Sequence, residues 1–354
     1  METKNELQLR FDPRTIEHLG IKMYSQLPYA LAELVANAYD AGASKTEIKL
    51  YDSVATNKRI VISDDGDGMS YDEVRDNFLV IGRKRRDTDN SRTNSKGRKI
   101  TGKKGLGKLA LFGIGKTICI ETTKSGEEFK TIFILDWDNI LSESTGVYRP
   151  EEKQVKKHDI FEKGTKITLS RLSRVTDFDL EQTAISLSKL FNCFSEDFSI
   201  EISKNDCTPI ALTREMKYEG IDKEFEWDVT DITKQLKTEY KFNNELKGKI
   251  ISSKKPMKQD LRGISLYVNG RLANVPGFFG VSEAGHTFSY ISGWIDADFI
   301  DEFSGDLIST DRQSVSWDLP EAEELKKYLQ LIVRFLVKDW SLKRKKVKED
   351  NNTE

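Results

Sequence analysis

Cysteine is scarce in this chain of 354 residues, and its scarcity excludes two kinds of protein. Cys119, Cys193 and Cys207 show neither metal-ligand nor redox spacing, so a disulfide framework and a cysteine-bound metal are set aside and a reducing compartment is the simpler setting. Long apolar runs are missing as well. None approaches the length of a membrane span, and the opening Met1-Glu-Thr-Lys-Asn-Glu holds no apolar signal core, so the expectation is a cytoplasmic protein with no membrane partner. Neither sign of charge dominates: 56 Lys and Arg stand against 58 Asp and Glu, a net charge of -2. That balance argues against a wholesale nucleic-acid coat and leaves room for local basic patches. What is present, 37% hydrophobic and 32% charged residues, is ordinary for a globular chain long enough to hold two domains with real cores.

The stretch Pro28-Tyr-Ala-Leu-Ala-Glu33-Leu-Val-Ala-Asn37-Ala-Tyr-Asp40-Ala-Gly42 organises the rest. Proline opens a helix and glycine closes one, and Glu33, Asn37 and Asp40 fall at i, i+4 and i+7 on one stripe of a segment otherwise apolar almost all round. Such groups are costly to bury unless something satisfies them. A hydrated metal ion on a phosphate is one solution; a stripe facing water is the other.

Two alternating segments, Thr46–Tyr51 and Arg59–Ser63, predict a hairpin that runs into Asp64-Asp65-Gly66-Asp67-Gly68-Met69. Glycines spaced by one residue let the backbone turn and a flat ligand approach, with Asp64 as a fixed acceptor for an exocyclic amine. An acidic turn or a calcium loop are the alternatives, the latter weakened by misplaced glycines and no glutamate at the twelfth position. Val74, Phe78, Leu79 and Ile81 predict a helix over 71–81. The segment 82–108 is then strongly basic and nearly free of apolar side chains, so it is expected to stay mobile until an anion binds: a lid over phosphates, a nucleic-acid loop, or a solvated loop. It ends in Thr101-Gly102-Lys-Lys-Gly105-Leu-Gly107-Lys108 before an apolar run, which converges backbone N–H groups on phosphate oxygens. A P-loop is rejected, because Leu109 replaces the hydroxyl that binds magnesium and no apolar strand precedes the glycines. Lys116–Thr123, Lys130–Trp137 and Gly164–Ser170 read as strands, with 138–159 irregular, and Thr165 lies beside Asp64 if their strands are neighbours.

Taken in order, Glu33-x-x-x-Asn37-x-x-Asp40-Ala-Gly, Asp64-Asp-Gly66-Asp-Gly68-Met, Gly102-x-x-Gly105-x-Gly107 and Gly164-Thr165 resemble the four motifs of the GHKL superfamily of gyrase B, the ninety-kilodalton heat-shock chaperone, histidine kinases and MutL, with MORC ATPases close by. The resemblance spans roughly residues 28–170. It implies an α/β class, Bergerat-type two-layer sandwich with a mixed sheet that holds ATP and Mg²⁺. Carried over by position, it implies Glu33 as the general base, Asn37 as the Mg²⁺ ligand, and Asp64 as the adenine acceptor supported by Thr165. Gly66, Gly68 and Met69 then shape the base site, and Gly102, Gly105, Gly107 and Lys108 line the phosphates. Asp40 reads equally as a structural carboxylate at the helix end. The retained glutamate, and the lack of a recognisable phospho-acceptor helix around His18, His158 or His286, favour a hydrolase over a kinase.

Beyond residue 175 a helix over 179–194 and a strand over 198–203 close the first domain, while 205–245 is charged and weakly patterned. Strands are read over 247–253, 263–268 and 288–295, with a tight turn at Asn269-Gly270, and Val268-Asn-Gly-Arg271 resembles the hairpin of the transducer domain that follows the ATP site in MutL-like and MORC-like proteins. The resemblance implies a basic residue for the γ-phosphate, with Arg312 preferred over Lys254 or Lys255; a surface arginine paired with Asp306 or Asp311 is the other reading. The expected organisation is an ATP-binding domain over 1–205 with its lid at 82–108, a transducer-like α+β domain over 206–320, and an amphipathic helix with a basic tail over 321–354. Function is expected to be Mg-dependent ATP hydrolysis that drives a conformational or dimerisation switch between ATP and ADP states, with a homodimer, DNA or a protein as partner. A nucleic-acid module, or an ATP-gated DNA clamp, using 83–108 and the basic C-terminal helix, is the alternative. Chaperone-like and bacterial-defence roles stay open.

Overall fold

The computed structural model describes residues 26–52, 58–81, 93–100, 102, 111–143, 147–192 and 197–351. These fall into two compact units, one within Met1–Leu187 and Ser195–Leu212, the other within Ser188–Phe194 and Thr213–Glu354. No helix among the described residues is long and apolar enough to cross a membrane.

Helix α1, Leu27–Asp40, opens the first unit with proline in its first turn. It buries Ala30, Leu31, Ala32, Leu34, Val35, Ala36 and Ala38, so it is a core helix rather than an amphipathic one. Gly42, at a φ of 73°, follows its end. The stripe drawn from the sequence divides: Asp40 is buried, Glu33 is half-buried and Asn37 is exposed, so the cost of burying a polar group falls on Asp40.

Eight strands form one mixed sheet in the order β5-β4-β3-β6-β2-β1-β7-β8. They are β1 Lys45–Tyr51, β2 Arg59–Asp64, β3 Gly115–Thr123, β4 Phe129–Asp136, β5 Glu151–Lys156, β6 Gly164–Leu172, β7 Ser199–Lys204 and β8 Ile210–Ala211. β1 and β7 run parallel and the other pairs antiparallel. One face is packed. Leu50, Ile60, Leu169 and Ile118 stand in register across four strands, and Ile48, Ile62, Ile167, Ile120 and Phe133 form the next row. This α/β sandwich with a mixed sheet is the expected fold class.

Two stretches between β2 and β6 differ from expectation. The helix expected over 71–81 opens with a capping box between Ser70 and Glu73 as α2, Tyr71–Glu73, and then widens into π turns over Val74–Phe78. The wider turn shifts the face that follows, so Val74 is buried while Val80 and Ile81 are exposed. Between β4 and β6, the region read as irregular contains α3, Trp137–Ser142, capped by the Asp136 carboxylate, and the edge strand β5, whose Glu-Glu-Lys-Gln-Val-Lys is exposed throughout. An edge strand with no packed face carries no apolar alternation to read.

Helix α4, Leu180–Ser188, is shorter than the helix expected over 179–194; Phe191 instead bridges Arg271 within the second unit. That unit holds a five-stranded sheet in the order β12-β11-β13-β10-β9. The strands are β9 Lys223–Asp228, β10 Lys247–Ser253, β11 Gly263–Val268, β12 Arg271–Gly277 and β13 Ile291–Asp296, with α5, Val229–Gln235, after β9. Asn269 and Gly270, at φ of 50° and 72°, make the β11–β12 turn, which requires left-handed backbone at both positions. Phe288, expected within a strand, lies in a 3-10 turn over His286–Ser289 before β13. The long helix α6, Pro320–Asn351, lays Ala322, Leu325, Tyr328, Leu329, Ile332, Val333, Leu336 and Trp340 into the core of this unit.

Candidate functional site

The polar residues of the first unit converge where β2 ends. One row further along the sheet than the isoleucines, Thr46, Asp64, Thr165, Thr122 and Thr131 stand in register on five successive strands. They share the packed face, because each lies two residues from an apolar core position on its strand. Thr46, Thr122 and Thr131 are buried. A row of hydroxyls around a carboxylate replaces what would otherwise be a third apolar row.

Asp64 is the acid of that row. Its carboxylate accepts a hydrogen bond from the Gly66 N–H at 2.9 Å. Burial pushes its carboxyl up to about 6, with the neighbouring Asp65 adding to the rise and the backbone N–H groups of Gly66 and Thr165 opposing it. Beside it, the Thr122 and Thr165 hydroxyls lie 3.0 Å apart, and Thr122 Oγ1 also accepts the Met69 N–H at 3.0 Å. Thr165 therefore sits next to Asp64, on the adjoining strand.

Alternation separates the two aspartates. Asp65 Oδ1 accepts the N–H groups of Ser44 at 2.7 Å and Lys45 at 2.8 Å, which ties the end of β2 to the start of β1. Asp67 binds the Ser95 hydroxyl at 2.6 Å and the Lys163 ammonium at 3.1 Å. With both carboxylates already holding protein donors, the calcium-loop reading fails, and the described residues contain no cluster of acidic and histidine side chains suited to a metal.

Two glycines of this turn have no room for a side chain. A Cβ on Gly66 would lie 2.8 Å from Asp64 Oδ1 and 2.9 Å from the Ala41 carbonyl, and one on Gly68 would lie 1.8 Å from the Thr123 carbonyl at a φ of +67°. Gly68→Ala is accordingly expected to destabilise the protein by about 2–3 kcal/mol, the range of strained backbone positions. Gly97→Ala, at a φ of +71° with nothing near its Cβ, is the control and is expected to lose only about 1 kcal/mol. Urea denaturation measures both; equal losses would remove the close approach at Gly68.

The same turn meets the last turn of α1. The Asp67 N–H donates to the Ala41 carbonyl at 2.8 Å, and the Gly102 N–H donates to Asp40 Oδ2 at 2.9 Å. From Ala41, Asn37 lies one turn and Glu33 two turns back, roughly 6 and 12 Å along the axis. Asp40 therefore has a structural partner. Of the glycine-rich run, Gly102 is placed here, at the end of α1; Gly105, Gly107 and Lys108 lie outside the described residues.

Residues 93–100, expected to be mobile, are tied down. Thr93 bridges Lys99, the Asn94 carboxamide caps the N–H groups of Lys96 and Arg98, and Asn94 Nδ2 donates to the Tyr39 carbonyl at 2.9 Å. Arg98 binds the Ala43 carbonyl at 2.7 Å and stacks over Tyr39 at 4.6 Å. Polar turns and one stacked guanidinium order this piece without an apolar core. The remainder of the basic stretch, 82–92, 101 and 103–108, lies outside the described residues.

Arg312 belongs to the second unit. Ile308 bridges Val315, and the turn between them holds Arg312 at a φ of 55°, with its N–H donating to the Ser309 carbonyl at 2.9 Å. Arg312 is half-buried. Lys254 pairs with Asp222 at 3.1 Å, and Lys255 is exposed.

Sequence reading missed Thr46, Thr122 and Thr131. Their only signal is register: each is one threonine in an ordinary strand until pairing aligns it with Asp64. Together the row and the glycine turn make an acceptor beside hydroxyls, suited to a flat ring that bears an N–H donor.

The geometry and the comparisons agree on the class. Residues 24–166 match the family described as histidine kinase-, DNA gyrase B-, and HSP90-like ATPase, and the chain carries a domain of that family, with its Bergerat-type fold. The chain is 27% identical over 361 residues to the "Putative type II restriction enzyme HgiDII" of Herpetosiphon aurantiacus, covering 96% of this chain and 57% of that protein. It is 28% identical over 197 residues to the "Chaperone protein HtpG" of Ehrlichia canis (strain Jake), covering 49% of this chain and 29% of that one. The chain thus spans little more than half of the first relative and under a third of the second.

Proposed function

We propose that the first unit binds ATP with Mg²⁺ and hydrolyses it, and that exchange between ATP and ADP switches the conformation or dimerisation of the protein. The observation that carries this reading is the half-buried Asp64 carboxylate in a threonine row, beside glycines that let a base approach the backbone. Asp64 accepts the exocyclic amine of adenine, with Thr165 beside it, and Gly66, Gly68 and Met69 form the adjoining wall. Asn37, exposed on α1, would hold Mg²⁺, and Gly102, Gly105, Gly107 and Lys108 would meet the phosphates. A bound Mg²⁺ supplies neutralisation of phosphate charge.

The chain's own residues divide the remaining work. Glu33, one helical turn before Asn37, orients the attacking water and takes its proton. Arg312 is the second unit's cation for the charge that develops in the transition state. Its left-handed backbone, held by the Ser309 and Asp311 turn, supports a built position rather than a random surface arginine.

A switch needs different contacts in the two nucleotide states. Size exclusion is expected to show a larger species with a non-hydrolysable ATP analogue than with ADP, alongside phosphate release from ATP by the parental protein. Identical elution in both nucleotides would remove the switch, and no phosphate release would remove the hydrolase.

The relative of restriction-enzyme name, similar along almost the whole chain, favours DNA as a partner in a second reading. The basic end of α6, with Lys343, Lys345, Lys346 and Lys348, supplies cations for it, while Arg344 is held by Glu224 at 2.8 Å. DNA binding titrated against salt, with and without nucleotide, separates the two: steep salt dependence with no affinity for ATP favours a nucleic-acid module.

A further inference from the structure

Beside Asp64 lies a buried hydroxyl that nothing in the described protein satisfies. Thr46 pairs with Asp64 across β1 and β2, its side chain is 0% exposed, and its Oγ1 has no hydrogen-bond partner among the described residues. Thr122 and Thr165, on the other side of Asp64, are occupied with each other, with the Met69 N–H and with the Gly164 carbonyl. A buried hydroxyl left unpaired costs stability, and valine would give the same branched strand residue without that cost.

We propose that Thr46 is a positioning residue of the base site: its hydroxyl donates, through a water shared with Asp64, to the carboxylate and orients it toward the exocyclic amine of a 6-aminopurine. The inference rests on the base-binding reading of Asp64. Directly paired residues on antiparallel strands have Cβ atoms about 4.5–5.5 Å apart, a span one water bridges. An ionised carboxylate only accepts, so it needs donors to fix its rotation, and the hydroxyl is the group on the β1 side that can donate. On the β6 side the hydroxyls already hold one another. Thr46 therefore acts on a ligand only through Asp64, and only where the ligand offers an N–H to that carboxylate.

Base chemistry distinguishes this role from mere packing. Parental protein, Thr46→Val, Thr46→Ser and Asp64→Asn are titrated calorimetrically with ATP and with purine riboside triphosphate, which lacks the 6-amine. Thr46→Val is expected to bind ATP about tenfold more weakly, equivalent to 1.4 kcal/mol, and the deamino analogue within about twofold of parental. Thr46→Ser is expected to bind both as the parental protein does, and the ligand-free melting temperature of Thr46→Val is expected not to fall. Parental affinity of Thr46→Val for ATP, or equal losses for both nucleotides, overturns the proposal, and it leaves the site reading intact where Asp64→Asn binds ATP at least about 30-fold more weakly than the parental protein. A parental protein that binds no ATP overturns both. Should Thr46→Val not fold, Thr46→Ser and the parental discrimination between the two nucleotides decide: no discrimination overturns it.

Discussion

Glu33→Ala is expected to bind ATP within about threefold of the parental affinity and to hydrolyse it about 10²–10⁴-fold more slowly, the range that general-base assistance contributes. The split follows from where Glu33 stands. It lies on α1 two helical turns, roughly 12 Å along the axis, before Ala41, the residue whose carbonyl holds the turn that carries Asp64, and the base contacts proposed at that turn do not include it. Its neighbours Leu31, Ala32, Leu34 and Val35 are buried and unchanged by the substitution. Removing a half-buried carboxylate leaves the helix packed, and alanine is the best helix former, so lost folding does not explain lost turnover. The variant carries a second expectation: because ATP persists, ordinary ATP produces the larger species that the parental protein shows only with a non-hydrolysable analogue. Calorimetry, phosphate release and size exclusion on one preparation check all of this. Hydrolysis at the parental rate removes Glu33 from its proposed role.

Much of the first unit was legible because its signals are local. Proline at the start of α1 and Gly42 after its end bound that helix, and the alternation of Ile48 with Leu50, and of Ile60 with Ile62, marks β1 and β2. The acidic glycine turn was legible for the same reason, since Gly66 and Gly68 declare close approach within six residues of sequence. What escaped depends on pairing. Thr46, Thr122 and Thr131 become a site only when β1, β2, β6, β3 and β4 are set in register, and Thr165, which joins the two halves of the row, is far in sequence from both Asp64 and Thr122. β5 escaped because an edge strand has no buried face to impose a pattern. β9 and α5 escaped because their charged positions outnumber the few apolar ones, Trp227, Val229 and Ile232, that face the core. The order of residues 93–100 escaped because it rests on an asparagine turn and a stacked arginine rather than on apolar burial.

Asp64→Asn is expected to weaken ATP binding by about 2–3 kcal/mol, some 30- to 150-fold, because it exchanges a charged acceptor for a neutral amide that also presents a donor to the ring. Acidity makes the test sharper. Burial raises the Asp64 carboxyl to about 6, above the ordinary value near 3.8, so the folded protein holds a proton there that the unfolded chain has released. Between about pH 4 and pH 6 this group therefore favours the folded state as pH falls, the reverse of a salt-bridged carboxylate. Ligand binding runs the other way. An amine N–H needs the ionised acceptor, so affinity rises with pH through about 6 and levels off above 7, with a proton released on binding below that midpoint. Adenosine is the suitable probe, because it has no phosphate to titrate over this range. Its affinity for the parental protein is expected to fall as pH drops from 7 to 5, approaching tenfold per unit at the acid end, while Asp64→Asn shows a flat and weak profile. A parental profile equally flat would place the base away from Asp64, whatever the phosphates do elsewhere on α1.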